Sequence, residues 1–224
     1  MVLRGNVLVV VTVEKLSQKN GILSLYSAET SVEPFTWELS RRKPWFKIHV
    51  NDEFEIGSSQ FLTTTLRYIH SAKLTKLDLN YHSIDFGDFK KLVSSYTIKT
   101  FIGGPVYRIN VDGEKVNLRL DEILKELPNI ETCEIYQGDM SSNAVEYKKL
   151  TKLPRFMKLQ KFTFRDLSSL FNVLNFTGFI KTNPNVSFVL KYNYVSRIQK
   201  NNIRTREKQL RESLPSNCNV VVEY

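Results

Sequence analysis

Leu74-Thr75-Lys76-Leu77-Asp78-Leu79-Asn80-Tyr81 is followed by Ser83-Ile84-Asp85-Phe86-Gly87-Asp88-Phe89-Lys90-Lys91-Leu92-Val93, and this pair of stretches decides the fold. The first has the pattern L-x-x-L-x-L. Successive side chains of a strand point to opposite faces, so Leu77 and Leu79 share one side. In the second, Asp85 is placed to cap a helix. Phe89, Leu92 and Val93 at i, i+3 and i+4 then point at the same core. A helix that carries the chain back so that a new strand can lie beside the last is the crossover of a parallel sheet.

The unit recurs downstream. Thr97–Ile102, Ile130–Ile135, Phe156–Phe164, Val186–Leu190 and Asn219–Tyr224 read as strands, with Cys133 standing where Leu77 stands. Leu120, Ile123, Leu124 and Leu127 give the cleanest helical stripe. Helices are also expected over residues 142–153, Phe171–Thr182 and Ser196–Leu214. Strand ends near Leu79, Ile102, Ile135, Phe164, Leu190 and Val222 are 23, 33, 29, 26 and 32 residues apart. These steps are looser than the roughly 20–29 of leucine-rich repeats. Between two of the units, Gly103-Gly104-Pro105 breaks a strand. Asp112-Gly113 marks a hairpin between Val106–Val111 and Lys115–Leu118.

Working outward, residues 6–50 read as β-rich, with strands at Val7–Val13, Ile22–Ala28 and Pro44–Val50 around an Asn20-Gly21 turn. Val7–Val13 is far too short to span a bilayer, and Glu14 and Lys15 stand where a signal-peptide cleavage site would be. Asn51–Gly57 reads as an acidic connection. A helix is expected over Gln60–Ser71 on the stripe Phe61, Leu62, Leu66 and Ile69. The expected class is α/β: a leucine-rich-repeat-like βα solenoid with a mainly parallel sheet and a β-rich N-terminal segment. Residues 1–50 would be that segment, packed on the same core. Residues 51–193 would be the repeat module, and 194–224 a basic helix and closing strand.

Chemistry is sparse. The only histidines, His49, His70 and His82, fall on different elements, and no H-E-x-x-H, C-x-x-C or G-x-S-x-G occurs. Cys133 and Cys218 are far apart, with neither a disulfide framework nor zinc spacing. No catalytic residue, metal or cofactor is expected, and the chain reads as a non-enzyme. Cysteine usage fits a reducing compartment, so an intracellular site, cytoplasmic or nuclear, is expected, with no membrane.

Charge is uneven in a chain of net charge +9. Lys148, Lys149, Lys152, Arg155, Lys158, Lys161 and Arg165 form one run of +7 without an acid. Lys191, Arg197, Lys200, Arg204, Arg206, Lys208 and Arg211, opposed only by Glu207, form a second of +6. Concentrated charge of one sign suits a polyanion, so nucleic-acid binding through Lys148–Arg165 and Lys191–Arg211 is the alternative function. The near aromatics Phe156, Phe162 and Phe164 sit at core positions, out of reach of bases.

The preferred function is protein interaction. With Leu77, Leu79, Cys133, Ile135, Phe162 and Phe164 inward, their neighbours must point out. Those are Lys76, Asp78 and Asn80; Thr132, Glu134 and Tyr136; Lys161, Thr163 and Arg165. Lys76, Asp78, Asn80, Glu134, Tyr136, Thr163 and Arg165 are the candidate binding residues, because Tyr and Arg anchor interfaces most often.

One resemblance adds to this. Leu77–Phe86, Asp88-Phe89-Lys90-Lys91-Leu92, Asp112-Gly113, Leu120-Asp121-Glu122-Ile123-Leu124, Leu127-Pro128-Asn129-Ile130-Glu131 and Phe179-Ile180-Lys181 occur in that order. Over roughly residues 50–195 the chain resembles the nematode-expanded group of F-box-associated proteins. The resemblance implies a βα, leucine-rich-like substrate-binding module, which in relatives carrying an N-terminal F-box would select targets for a cullin-type ubiquitin ligase. Residues 1–50 read as strands rather than as the helical F-box, so the adaptor-docking element of that family is not evident.

Overall fold

The computed structural model describes residues 9–19, 22–26, 35–38, 46–56, 65–67, 69–136, 144–154, 156–193 and 195–224. Its main sheet begins with β1 (Val9–Lys19), β2 (Ile22–Tyr26), β3 (Phe35–Glu38) and β4 (Phe46–Ile56). It continues through β5 (Ile69–Ala72), β6 (Lys76–Asp78), β8 (Thr100–Gly103), β11 (Thr132–Tyr136), β12 (Lys161–Leu167), β13 (Ser187–Tyr192) and β14 (Asn219–Glu223). A second, three-stranded sheet holds β7 (Ile84–Asp85), β9 (Val106–Ile109) and β10 (Lys115–Asn117). The helices are α1 (Phe86–Val93), α2 (Leu120–Lys125), α3 (Ala144–Leu150), α4 (Thr177–Thr182) and α5 (Arg197–Ser213). A 3-10 turn at Val173–Phe176 leads into α4.

The expected mainly parallel α/β sheet is present. β1, β4, β6, β8, β11, β12, β13 and β14 lie side by side, all parallel, in that order. Beyond β4 each strand docks on the outer side of the one before it. β2 and β3 add an antiparallel pair beyond β1. The described helices are few and mostly short; α5 alone exceeds eight residues.

One register row makes the core: Phe54, Leu77, Phe101, Cys133, Phe162, Phe188 and Val220 are partners across seven strands, and all are buried. The helices close over this face. Phe89 of α1 meets Phe101 edge-on at 5.7 Å. Phe176 and Phe179 lie 5.7 Å from Phe162. Tyr147 of α3 meets Phe171 and Phe176 at 5.7 and 5.6 Å. Each fully buried aromatic contributes about 2–3 kcal/mol by burial. Asp85 caps α1 as its position in sequence suggests, its Oδ1 accepting from the Gly87 N–H at 2.8 Å. Ser196 caps α5 and Gln199 reaches back to the Ser196 N–H, a reciprocal pair that fixes the helix start.

Three expectations need correction. β4 does not stop at Val50 but runs through the acidic stretch to Ile56, because Phe54 alternates inward between Glu53 and Glu55. Ile69–Ala72, expected as the end of a helix, is instead β5, paired parallel with Ile48–Val50. The backbone N–H groups of Lys73 and Thr75 then continue along β4, donating to Val50 and Asp52 carbonyls at 2.7 and 2.9 Å. Phe171–Thr182 is helical only from Val173, as a 3-10 turn and one short α-helix. Residues 60–64 of the helix expected at Gln60, the turn at Asn20-Gly21, and Arg155 of the first basic run fall outside the described residues.

Gly103-Gly104 meets a need for close approach. A Cβ at Gly104 would overlap the Tyr81 carbonyl oxygen, and one at Gly103 would overlap the Phe101 ring. The β6–β7 turn is pressed against this bend, and only glycine fits. The Asp112-Gly113 hairpin forms as read, with Gly113 at φ +82. No helix among the described residues is long and apolar enough to cross a membrane.

Candidate functional site

The site is built on the sheet face opposite the helices. Its middle row, in register from β4 to β13, is Glu55, Asp78, Ile102, Glu134, Thr163 and Val189. A second row runs Glu53, Lys76, Thr100, Thr132, Lys161 and Ser187. At the strand ends Tyr136 pairs in register with Arg165. Alternation along each strand puts these side chains together once the row through Phe54 and Phe162 has turned inward.

Most of the residues singled out in the sequence meet here. Lys76 forms an ion pair with Glu53 at 3.8 Å. Asp78 accepts from the Asn80 N–H at 2.9 Å. Burial pushes the Asp78 carboxyl above its ordinary range; Glu55 and Glu134 add to the rise, and the Asn80 N–H and Lys76 oppose it. Glu134 and Arg165 form a two-point pair: Nε of Arg165 contacts one carboxylate oxygen and Nη2 lies 3.3 Å from the other. The guanidinium sits 5.8 Å from the centre of the Tyr136 ring, within cation–π range. Burial first, and then Glu134, raise the Tyr136 hydroxyl pKa, while the hydrogen bond to Glu134 holds Arg165 charged. Thr163 is on the open face yet only 2% exposed, and its hydroxyl has no hydrogen-bond partner among the described residues. Asn80 is the exception. β6 ends at Asp78, and Asn80 turns away in the left-handed region at φ 50.

Glu53, Glu55, Ile102 and Val189 belong to the same face but were not singled out in the sequence. Glu53 and Glu55 fall within Asn51–Gly57, whose acidic composition reads as a connection. The signal that finds them is the alternation Glu53-Phe54-Glu55.

The basic runs are differently disposed. Lys148 and Lys149 lie on α3, in the helix layer, whereas Lys161 and Arg165 lie on the open face, so the first run is divided between two sides of the sheet. In the second run Arg206 donates to the Ser169 and Phe171 carbonyls at 3.4 and 3.3 Å. Arg211 pairs with Glu207 at 2.9 Å, Lys191 with Glu223 at 2.7 Å, and Arg204 donates to the Tyr224 hydroxyl at 3.2 Å.

Other chemistry is scattered. His49 bonds Ser71, His70 is exposed, and His82 is buried against Tyr81 with ring centroids 4.4 Å apart. Burial pushes the Cys133 thiol well up, away from a reactive thiolate. Among the described residues no group of three or more His, Cys, Asp or Glu is placed to hold a metal ion. The hollows beside Tyr107 and beside Arg108 enclose about 210 and 270 Å³. Both are below the roughly 300–1,000 Å³ of small-molecule sites, so the sheet face is the stronger candidate. Comparisons with family models, with curated proteins and with solved structures find no match to this chain.

Proposed function

We propose that this chain is a non-enzymatic protein-interaction module that binds its partner through the open face of the parallel sheet. The observation that carries the reading is the polar face itself: Lys76, Asp78, Glu134, Tyr136 and Arg165 keep partial exposure there, while Phe89, Ile123, Leu124, Phe179 and Ile203 of the described helices are buried on the other side. Tyr136 and Arg165 are residue types that anchor interfaces, and they are held in place by Glu134. Strands added in chain order support a leucine-rich-repeat-like βα stack, a form whose sheet face commonly binds proteins. With the resemblance to F-box-associated proteins, this extends to a substrate receptor related to cullin-type ubiquitin ligases.

The test is affinity capture from native extract with the wild-type chain and a Tyr136→Ala, Arg165→Glu double variant. A melting curve must first confirm that the variant folds, because the carboxylate introduced on β12 faces Glu134. Loss of the wild-type partners by a folded variant is the expected result, and recovery of the same partners by both chains would overturn the face as the site. A ligase adaptor among the wild-type partners supports the receptor role; its consistent absence leaves a generic interaction module.

A further inference from the structure

We propose that the outer edge of β14 takes up an extended, acidic segment of a partner protein as an added strand, with the partner's carboxylates against a basic flank of α5. This surface is separate from the open face and does not depend on it. β14 is the last strand of the main sheet, and among the described residues only β13 pairs with it. In a parallel ladder alternate residues turn their N–H and C=O groups away from the neighbour, so an edge strand presents a row of unpaired donors and acceptors. The usual guards of such an edge are missing from Asn219-Val220-Val221-Val222-Glu223. It holds no proline and no lysine, and its register with β13 runs through all five residues without a bulge. Its single charge, Glu223, is drawn onto β13 by Lys191 at 2.7 Å. On the open-face side of the strand Val221 is 41% exposed.

The charge beside this edge is a second, independent observation. Ile203 and Leu210 face inward from α5. On one flank of the helix Gln199 donates to the Ser169 hydroxyl at 2.7 Å, and Arg206 donates to the Ser169 and Phe171 carbonyls, in the loop that follows β12. On the other flank Arg204 reaches the hydroxyl of Tyr224, the residue after β14. That flank therefore faces the outer edge of the sheet. Arg197 and Lys200 share it, because spacings of 3 and 4 residues return a side chain to the same side of a helix. Neither makes an ion pair among the described residues. Glu207 and Arg211, further along, neutralise each other at 2.9 Å, so the flank keeps the charge of Arg197, Lys200 and Arg204. An added strand lies about 4.8 Å beyond β14, and every second side chain of it rises on the helix side. Glutamates at those positions meet the three cations, while apolar residues at the alternate positions lie beside Val221. A segment alternating acidic and apolar residues is the fit: main-chain hydrogen bonds hold it and the side chains select it. A second copy of this chain fits poorly, because pairing β14 with β14 brings two basic flanks together.

The experiment uses the full chain and a short capped peptide alternating glutamate and valine. Its lysine–valine counterpart is the charge control. Two N-methylated forms of the acidic peptide, one blocked at the glutamate amides and one at the valine amides, test for strand pairing. Binding is followed by fluorescence anisotropy, and its place by amide hydrogen exchange over Asn219–Glu223. The acidic peptide is expected to bind and to slow exchange there, and the lysine peptide not to bind. Only one of the two methylated forms should bind, since only alternate amides of an added strand face β14. A Lys200→Glu, Arg204→Glu double variant, shown by its melting curve to be folded, should bind the peptide about tenfold more weakly. Lys152→Glu, an exposed charge reversal just after α3, should leave the affinity unchanged. Failure of the acidic peptide to bind, equal binding of the two methylated forms, or indifference to the double variant overturns the proposal. It is overturned too if a short oligothymidine binds through Lys200 and Arg204 while the peptide does not, which makes the flank a polyanion site. A dimer of the chain that protects β14 without peptide would make a second copy the occupant and overturn it as well.

Discussion

Asp78 shows how one side chain can work against the fold that carries it. Desolvation raises its folded pKa above the ordinary carboxylate value. A raised folded pKa gives stability that is fully present below the unfolded pKa and lost as pH rises through the folded one. At neutral pH the ionised Asp78 therefore destabilises the chain relative to a neutral isostere. Asp78→Asn keeps an oxygen to accept from the Asn80 N–H and removes the charge. Its melting temperature should exceed that of wild type at about pH 7 and converge with it at about pH 3, below the ordinary Asp value. Melting curves at the two pH values check this, and a lower melting temperature for the variant at neutral pH would contradict it. A residue of the proposed face that is held in an unfavourable setting is where a stability–function trade is expected.

At the scale of elements, an aromatic layer packs under α3 and α4. Phe176 meets Tyr147, Phe162, Phe164, Phe179 and Phe188 with ring centroids between 5.3 and 6.3 Å. Phe176→Ala should cost about 3–5 kcal/mol, because rings on several elements cannot all collapse into the space left. Denaturant unfolding reads this directly, and a loss under about 1 kcal/mol would show that α4 is not held by this layer. The elements legible in the sequence were those whose apolar spacing has one meaning: Leu77 with Leu79, Cys133 with Ile135, and the stripe from Leu120 to Leu127, all of them buried. Those misread have spacing with two meanings. Leu66 and Ile69 fit a helical stripe, yet Ile69 is buried in a strand because the first half of β4 offers it a ladder. Glu53 and Glu55 looked like a solvated connection, and only the long-range pairing with β6 makes them strand residues. Propensity and period are local, whereas the partner strand is not.

At the scale of the whole molecule, charge and strand order make separate statements. Dividing the first basic run between two sides of the sheet, and engaging Arg206 and Arg211 within the chain, reduces the free positive charge that each run presents on one surface. Binding to generic nucleic acid should therefore stay in the non-specific range of roughly 10⁻⁴–10⁻⁶ M near physiological salt and fall steeply as salt rises. A titration against single- and double-stranded DNA at several salt concentrations measures it. Sub-micromolar affinity that survives about 0.2 M salt would move the function to the polyanion reading. The candidate face was legible in part, since alternation on β6, β11 and β12 placed Asp78, Glu134 and Arg165 on it. Its acidic character was not, because β4 and the half-buried Ile102 join the row only through register. The strand order has a further consequence for how the chain is made. From β4 onward every new strand of the main path pairs with the one synthesised just before it. A ribosome adding about 5–20 residues per second delivers each unit to a template already in place, so the sheet can grow vectorially during translation without waiting for a distant segment.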